Sequence, residues 1–194
     1  MSTKKIGLAG VGAIGCAVAR ALQSGIEGFE LTHISDPSPL KDFGVPNVDF
    51  DTLAQECDMI IECLPAHIVP QLAEIALKAN KDIIFISSAA LLLYPEIQEQ
   101  LQNSTSKAYL PSGALCGLDG VRAMKEMGIE LAKIASTKPP LGFKGAPYIE
   151  KNDIKLENIS KKTMIFEGNA YEASEGFPAN VNVAATLSLA GIGG

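Results

Sequence analysis

Residues 4–22 read KKIGLAGVGAIGCAVARAL, and no other stretch constrains the fold as tightly. Gly10-x-Gly12-x-x-Gly15 follows a short apolar run of strand character and opens a helical pattern. Each glycine has its own task in that context. Gly10 permits a tight turn, Gly12 lets backbone approach a pyrophosphate, and Gly15 lets helix and strand pack closely. The helix that follows, with Ala13 and Ile14 in its first turn, offers unpaired N–H groups and a partial positive charge to phosphates. The stretch therefore reads as a dinucleotide-binding loop.

The chain beyond it repeats the same alternation. Strand-like runs at 29–35 (FELTHIS), 58–64 (DMIIECL), 81–87 (KDIIFIS) and 107–112 (KAYLPS) are separated by helical patterns at 51–56, 67–80 and 94–103. Asp51 is placed as the N-cap of the first of these helices. A β-α-β order of this kind implies a parallel sheet covered on both faces. The predicted fold class is α/β, a Rossmann-type doubly wound parallel sheet followed by a partial α+β second domain. The texture changes after Pro111. A glycine-punctuated helix, a proline-rich loop over 136–147, and a strand, turn and helix over 161–178 follow. The expected domains are 1–110 and 111–194.

Ligands of an open parallel sheet bind beyond the carboxyl ends of its strands. Asp36 ends the second strand about 20 residues past the fingerprint, where a carboxylate accepts from ribose hydroxyls. The same residue can instead start the Asp-Pro turn. Its charge favours NAD, while Ser38 and Lys41 keep NADP open. Cys63, Leu64, Pro65, Ser87 and Ser88 close the third and fourth strands and are expected to line the cofactor path. His67, at a helix start, reads as a structural or capping residue.

Composition narrows the function classes. A net charge of −6 argues against nucleic acid and anionic membranes as partners. Four cysteines without CxxC spacing, with two histidines, leave no zinc set, so no metal is expected. No secretory signal and no bilayer-length apolar run are visible, and reduced thiols in a cytoplasmic protein are the expectation.

Three blocks of the second half carry a resemblance. LPSGALCGLDGVRAM (110–124), STKPPLGFKGAP (136–147) and MIFEGNAYEASEGFPANVNVAATLSLAGIG (164–193) resemble the L-aspartate dehydrogenase family. The resemblance implies hydride transfer from Cα of L-aspartate to NAD or NADP. Iminoaspartate is the product, hydrolysed to oxaloacetate and ammonia or passed on toward NAD biosynthesis. It further implies that Ala114 and Asn182, rather than Asn180, contact the cofactor, and that the protein is a homo-oligomer such as a homodimer. Family members continue past LAGIG and carry their active-site histidine there. His33 and His67 match no such position, so the chain is expected to be truncated and its catalytic histidine to lie beyond Gly194.

The residues themselves suggest donors for a dicarboxylate. Lys138 supplies charge, and Asn180 and Asn182 supply neutral amides. Asn180 also suits the N-cap of the helix over 181–190. Two other readings stay open: an oxidoreductase of the homoserine dehydrogenase type, and a non-catalytic dinucleotide-binding relative.

Overall fold

The computed structural model describes residues 3–193. The chain divides into two compact units. One runs to Ser87 and resumes over Tyr94–Pro111; the other takes Ser88–Leu93 and the residues from Ser112 onward. The helix Ser88–Leu93 thus departs from the single boundary near residue 110 expected above.

In the first unit, β1 (Lys4–Ala9), β2 (Phe29–Ser35), β3 (Met59–Glu62), β4 (Asp82–Phe85) and β5 (Ala108–Tyr109) form one sheet in the order β2-β1-β3-β4-β5. Every pairing is parallel. The connections are α1 (Ala13–Gln23), α2 (Phe50–Glu56), α3 (Val69–Lys78) and, after α4 (Ser88–Leu93) of the other unit, α5 (Pro95–Gln102). The chain leaves β1 toward β2 and returns past β1 to β3. The direction of winding therefore reverses between β1 and β3, and the carboxyl ends of those two strands flank the crevice.

Burial follows the sequence pattern. Gly15, Cys16, Ala19 and Leu22 put one stripe of α1 inward. Cys16, Ala19 and Leu22 pack with Ile6 and Leu8 of β1, Leu31 and Ile34 of β2, and Met59 and Ile61 of β3. All of β3 is buried, as befits a strand with helices on both faces. The N-cap of α2 is Asp49, not Asp51: its side chain accepts from the Thr52 N–H at 2.8 Å. The backbone is still extended at Asp49 and turns helical at Phe50, so Asp51 falls in the first turn, where its charge suits the helix dipole.

The second unit is built from α4, α6 (Leu118–Met127), α7 (Pro147–Lys151), α8 (Ala170–Gly176) and α9 (Asn182–Ala190). Helix α4 packs against α8 and α9, and α9 against α6. Phe143, Tyr148, Phe166 and Phe177 form an aromatic cluster, with centroids of Tyr148 and Phe166 5.2 Å apart and those of Phe166 and Phe177 5.5 Å apart. Asn169 and Glu172 close α8 with a reciprocal capping box. The strand expected within 161–166 is not formed; this segment is irregular. A strand exists only through a ladder to a neighbour, and among the described residues none lies beside it.

Candidate functional site

The glycine loop divides its tasks as the spacing demands. Gly10 has φ +86°, and a Cβ there would meet the Cys63 carbonyl oxygen at 2.5 Å. A Cβ on Gly15 would sit 2.0 Å from the Gly10 carbonyl oxygen. A Cβ on Gly12 would meet nothing within 4 Å. Two of the three glycines are thus required by packing, while the third faces open space. Gly12 is also the N-cap of α1 and carries no side-chain cap, and no acidic residue occupies the first turn. Orphan N–H groups and the positive end of the helix dipole meet that open space unopposed. An anionic pyrophosphate fits both the space and the charge. Ala13 is exposed on the same turn, as is Ile14 at 55 %.

Asp36 is tied to this loop directly. Its Oδ2 accepts from the Val11 N–H at 2.6 Å, and its Oδ1 accepts from the Ser38 N–H at 2.8 Å. The Asn47 side chain brackets its backbone from the other side. The turn reading of Asp36 is met, and it leaves room for the ribose reading, because each carboxylate oxygen keeps a further lone pair. Lys41 is turned toward the Phe43 ring, 5.9 Å from its centroid.

Beyond β3 and β4, one buried residue that sequence reasoning passed over organises the rest. Glu62 has no exposed surface. Its Oε1 lies 2.5 Å from the Leu64 N–H and 2.9 Å from Ser87 Oγ, and its Oε2 accepts from the N–H groups of Ile86 at 3.1 Å and Ser87 at 2.9 Å. Burial raises the Glu62 pKa, against the lowering effect of those hydrogen bonds. The carboxyl therefore joins the loop after β3 to the loop after β4. A charge closing an apolar strand was the available signal.

The remaining first-unit candidates follow from that frame. Burial, with Glu62 second, pushes the Cys63 thiol up to about 12, so it is a wall and not a nucleophile. Leu64 gives its N–H to Glu62 and its carbonyl accepts from Ser87 Oγ at 2.7 Å. Pro65 is exposed, Ser87 is buried, and His67 lies in a short 3₁₀ turn over Ala66–Ile68.

The second unit holds the other candidates. Lys138 Nζ donates to the Asn180 carbonyl at 3.0 Å and to Asn180 Oδ1 at 2.9 Å. That engagement removes Asn180 from capping α9, whose N-cap is Val181. Asn182 opens α9, accepts from the Ala89 N–H through Oδ1 at 3.1 Å and from Ser88 Oγ through its carbonyl at 2.7 Å. Thr186 Oγ1 donates to Ser88 Oγ at 3.0 Å. With Oδ1 turned to Ala89, the Asn182 amide N–H groups point the other way. Ala114 is exposed in the turn that Leu115 and Ser112 close. Among the described residues no His, Cys, Asp or Glu cluster suits a metal ion.

A parallel sheet with a glycine loop at its reversal point and an uncapped helix beyond it defines a dinucleotide-binding domain of the Rossmann type. Residues 10–111 match the family model described as homoserine dehydrogenase, NAD binding domain, which makes NAD or NADP the cofactor. Residues 119–194 match the model described as aspartate dehydrogenase, C-terminal. The chain is 41 % identical over 197 residues to L-aspartate dehydrogenase 3 of Bordetella bronchiseptica, covering 97 % of this chain and 72 % of that one. It is 39 % identical over 202 residues to L-aspartate dehydrogenase of Methanosarcina barkeri, covering 97 % and 74 %. Among solved structures, aspartate dehydrogenase from Thermotoga maritima superposes with TM-score 0.70 at 25 % identity, covering 96 % of this chain and 73 % of that one. The chain belongs to the L-aspartate dehydrogenase family.

Proposed function

We propose that the chain binds NAD or NADP on the Gly10–Gly15 loop and oxidises L-aspartate to iminoaspartate, which then hydrolyses to oxaloacetate and ammonia. The observation that carries the binding half is the open, uncapped space before Gly12. The aspartate half is supported by the names of the relatives and by Lys138. Two of its ammonium hydrogens go to Asn180, which holds the charge in place and leaves the third for a carboxylate.

The dinucleotide supplies the hydride acceptor. The loop N–H groups hold its phosphates, Asp36 accepts from its ribose, and the family resemblance adds Ala114 and Asn182 as cofactor contacts. Asp36 favours NAD, since a carboxylate there repels a 2′-phosphate. Lys138 and Asn180 orient the substrate carboxylates. We assign residues 1–110 chiefly to cofactor binding and 111–194 to the substrate and to self-association as a homo-oligomer, in the cytoplasm, with a product open to NAD biosynthesis.

A dinucleotide binder without turnover is the second reading, since the open space before Gly12 accounts for binding by itself. Hydride leaves Cα only after the ammonium has lost a proton to a base, a task suited to a group titrating near neutrality. His33 lies on β2 beside Thr32, and His67 in the turn after β3.

The deciding assay follows absorbance of the reduced nicotinamide with L-aspartate and either dinucleotide. Aspartate-dependent reduction, exceeding that with L-glutamate and homoserine, is the expected result. A faster rate with homoserine overturns the aspartate assignment. NADH binding without turnover on any of the three supports the second reading.

A further inference from the structure

Asp36 is the first residue past β2, where the ladder with β1 stops at the pair Ala9 and Ser35. On the far side of β2, residues 46–48 run alongside the strand. The Ile34 N–H donates to the Pro46 carbonyl and the Val48 N–H to the Ile34 carbonyl, each at 2.9 Å. Asn47 is the parallel partner of Ile34 in this short bridge. The chain then turns away through Asp49 to start α2, and the next rung has no backbone to make it. The Asn47 side chain makes it instead. Its Oδ1 accepts from the Asp36 N–H at 3.0 Å, and its Nδ2 donates to the Asp36 carbonyl at 2.8 Å.

We infer that Asn47 is a positioning residue for dinucleotide selectivity: it fixes the Asp36 backbone and so aims the carboxylate that tells NAD from NADP. Only a primary amide carries a donor and an acceptor side by side, as a peptide group does. Aspartate at 47 would lack the donor, and alanine would lack both. The Asp36 carboxylate is held in turn by the N–H groups of Val11 and Ser38. The Ser38 bond is local and travels with the turn. The Val11 bond and the Asn47 pair are therefore what tie Asp36 to the rest of the sheet.

Selectivity at a ribose depends on where the carboxylate stands. It gains a hydrogen bond from a 2′-hydroxyl only within about 3 Å, and it repels a 2′-phosphate most strongly at the same short distance. A carboxylate free to swing outward loses both effects. Asn47 is exposed, so its truncation opens no cavity in the core. The two Ile34 bonds do not use the Asn47 side chain, so residues 46–48 stay on the sheet in Asn47→Ala. The substitution frees Asp36 and leaves its surroundings in place.

The inference rests on the reading of Asp36 as the ribose residue, and the experiment separates the two. NADH and NADPH Kd are measured by fluorescence for the parent chain, Asn47→Ala, Asp36→Ala and the double variant. Partial unfolding weakens both dinucleotides by one factor, since the unfolded chain binds neither, so their ratio reports the aim of Asp36 and not stability. Asn47→Ala is expected to lower the ratio of NADPH Kd to NADH Kd about threefold to tenfold, the equivalent of one hydrogen bond. On the Asp36→Ala background it should change the ratio no further. Asn47→Ser, whose hydroxyl is too short to span both groups, should give the same result if Asn47→Ala does not fold. An unchanged ratio in Asn47→Ala, where Asp36→Ala does lower it, overturns the inference. An equal fall on both backgrounds also overturns it, because Asn47 would then act without Asp36. A ratio that Asp36→Ala leaves untouched defeats the ribose reading first, and the inference with it.

Discussion

Val11 gives its N–H to Oδ2 of Asp36 at 2.6 Å, and this bond fastens the glycine loop to the end of β2. A residue expected to read the ribose is thereby also part of the loop's scaffold. Asp36→Ala removes an acceptor shared by Val11 and Ser38. It is expected to cost about 1.5–3 kcal/mol of stability, as bonds to a charged group do. NADH Kd should rise about tenfold or more. Chemical denaturation and NADH fluorescence on one sample set check both, and a variant that loses only affinity confines Asp36 to ribose.

Gly10 and Gly12 should fail in opposite ways. Gly12→Ala adds a methyl to open space at a residue with negative φ, so the fold survives with little change in Tm. The methyl occupies ground the pyrophosphate needs, and NADH Kd should rise about tenfold or more. Gly10→Ala meets both a positive φ and the Cys63 carbonyl, and should lose more than about 2 kcal/mol of stability. Equal Tm losses in the two would contradict this division.

Lys138→Ala should raise KM for aspartate about tenfold to a hundredfold while NADH Kd stays fixed, since a charge-assisted contact to substrate is lost. Steady-state kinetics give the split. Calorimetry with succinate on the NADH-saturated chain gives the same contrast without turnover. Unchanged dicarboxylate affinity would remove Lys138 from the site.

Hydrogen bonds from the Thr52 backbone and side chain hold the Asp49 carboxyl below the usual carboxylate range. A lowered folded-state pKa stabilises above the unfolded value and is lost as pH falls through the folded one. The contribution of this cap is therefore full at neutral pH and disappears below about pH 4. Asp49→Ala should lower Tm at pH 7, and the gap from the parent should narrow on acidification. A gap independent of pH would mean that the Asp49 charge does not matter.

Thiol labelling should sort the cysteines by environment. Cys116 is exposed, whereas Cys16 and Cys57 are buried and Cys63 is held protonated. Iodoacetamide at mildly alkaline pH should modify Cys116 well before Cys63, read by peptide mass spectrometry. Early labelling of Cys63 would contradict the raised pKa and the packed wall it implies.

The glycine loop was legible because its signal is local: three glycines, a strand before and a helix after, within a dozen residues. Glu62 was not, because its partners Ile86 and Ser87 lie in another loop and no spacing announces them. Asn180 illustrates the same limit. Locally it is a good cap, but Lys138, forty-two residues earlier, claims its side chain. The segment 161–166 has strand-like composition, yet strand propensity expresses fit to a neighbouring strand and is idle without one. Helix α4 was hidden for a related reason: ISSAALLL is apolar but for Ser87 and Ser88, and a short apolar run does not separate strand from helix.

The excursion of α4 into the second unit has a practical consequence for dissection. The polypeptide passes from one unit to the other at Ser87–Ser88, back at Leu93–Tyr94, and out again at Pro111–Ser112. A fragment ending near residue 110 would retain α4 but lose α8 and α9, against which it packs. Ala89, Ala90 and Leu91, buried in the whole chain, would then face water. Cleavage of the 111–112 bond alone would likewise leave a helix of the second unit covalently attached to the first. A single cut near residue 111 therefore separates α4 from the helices it packs against.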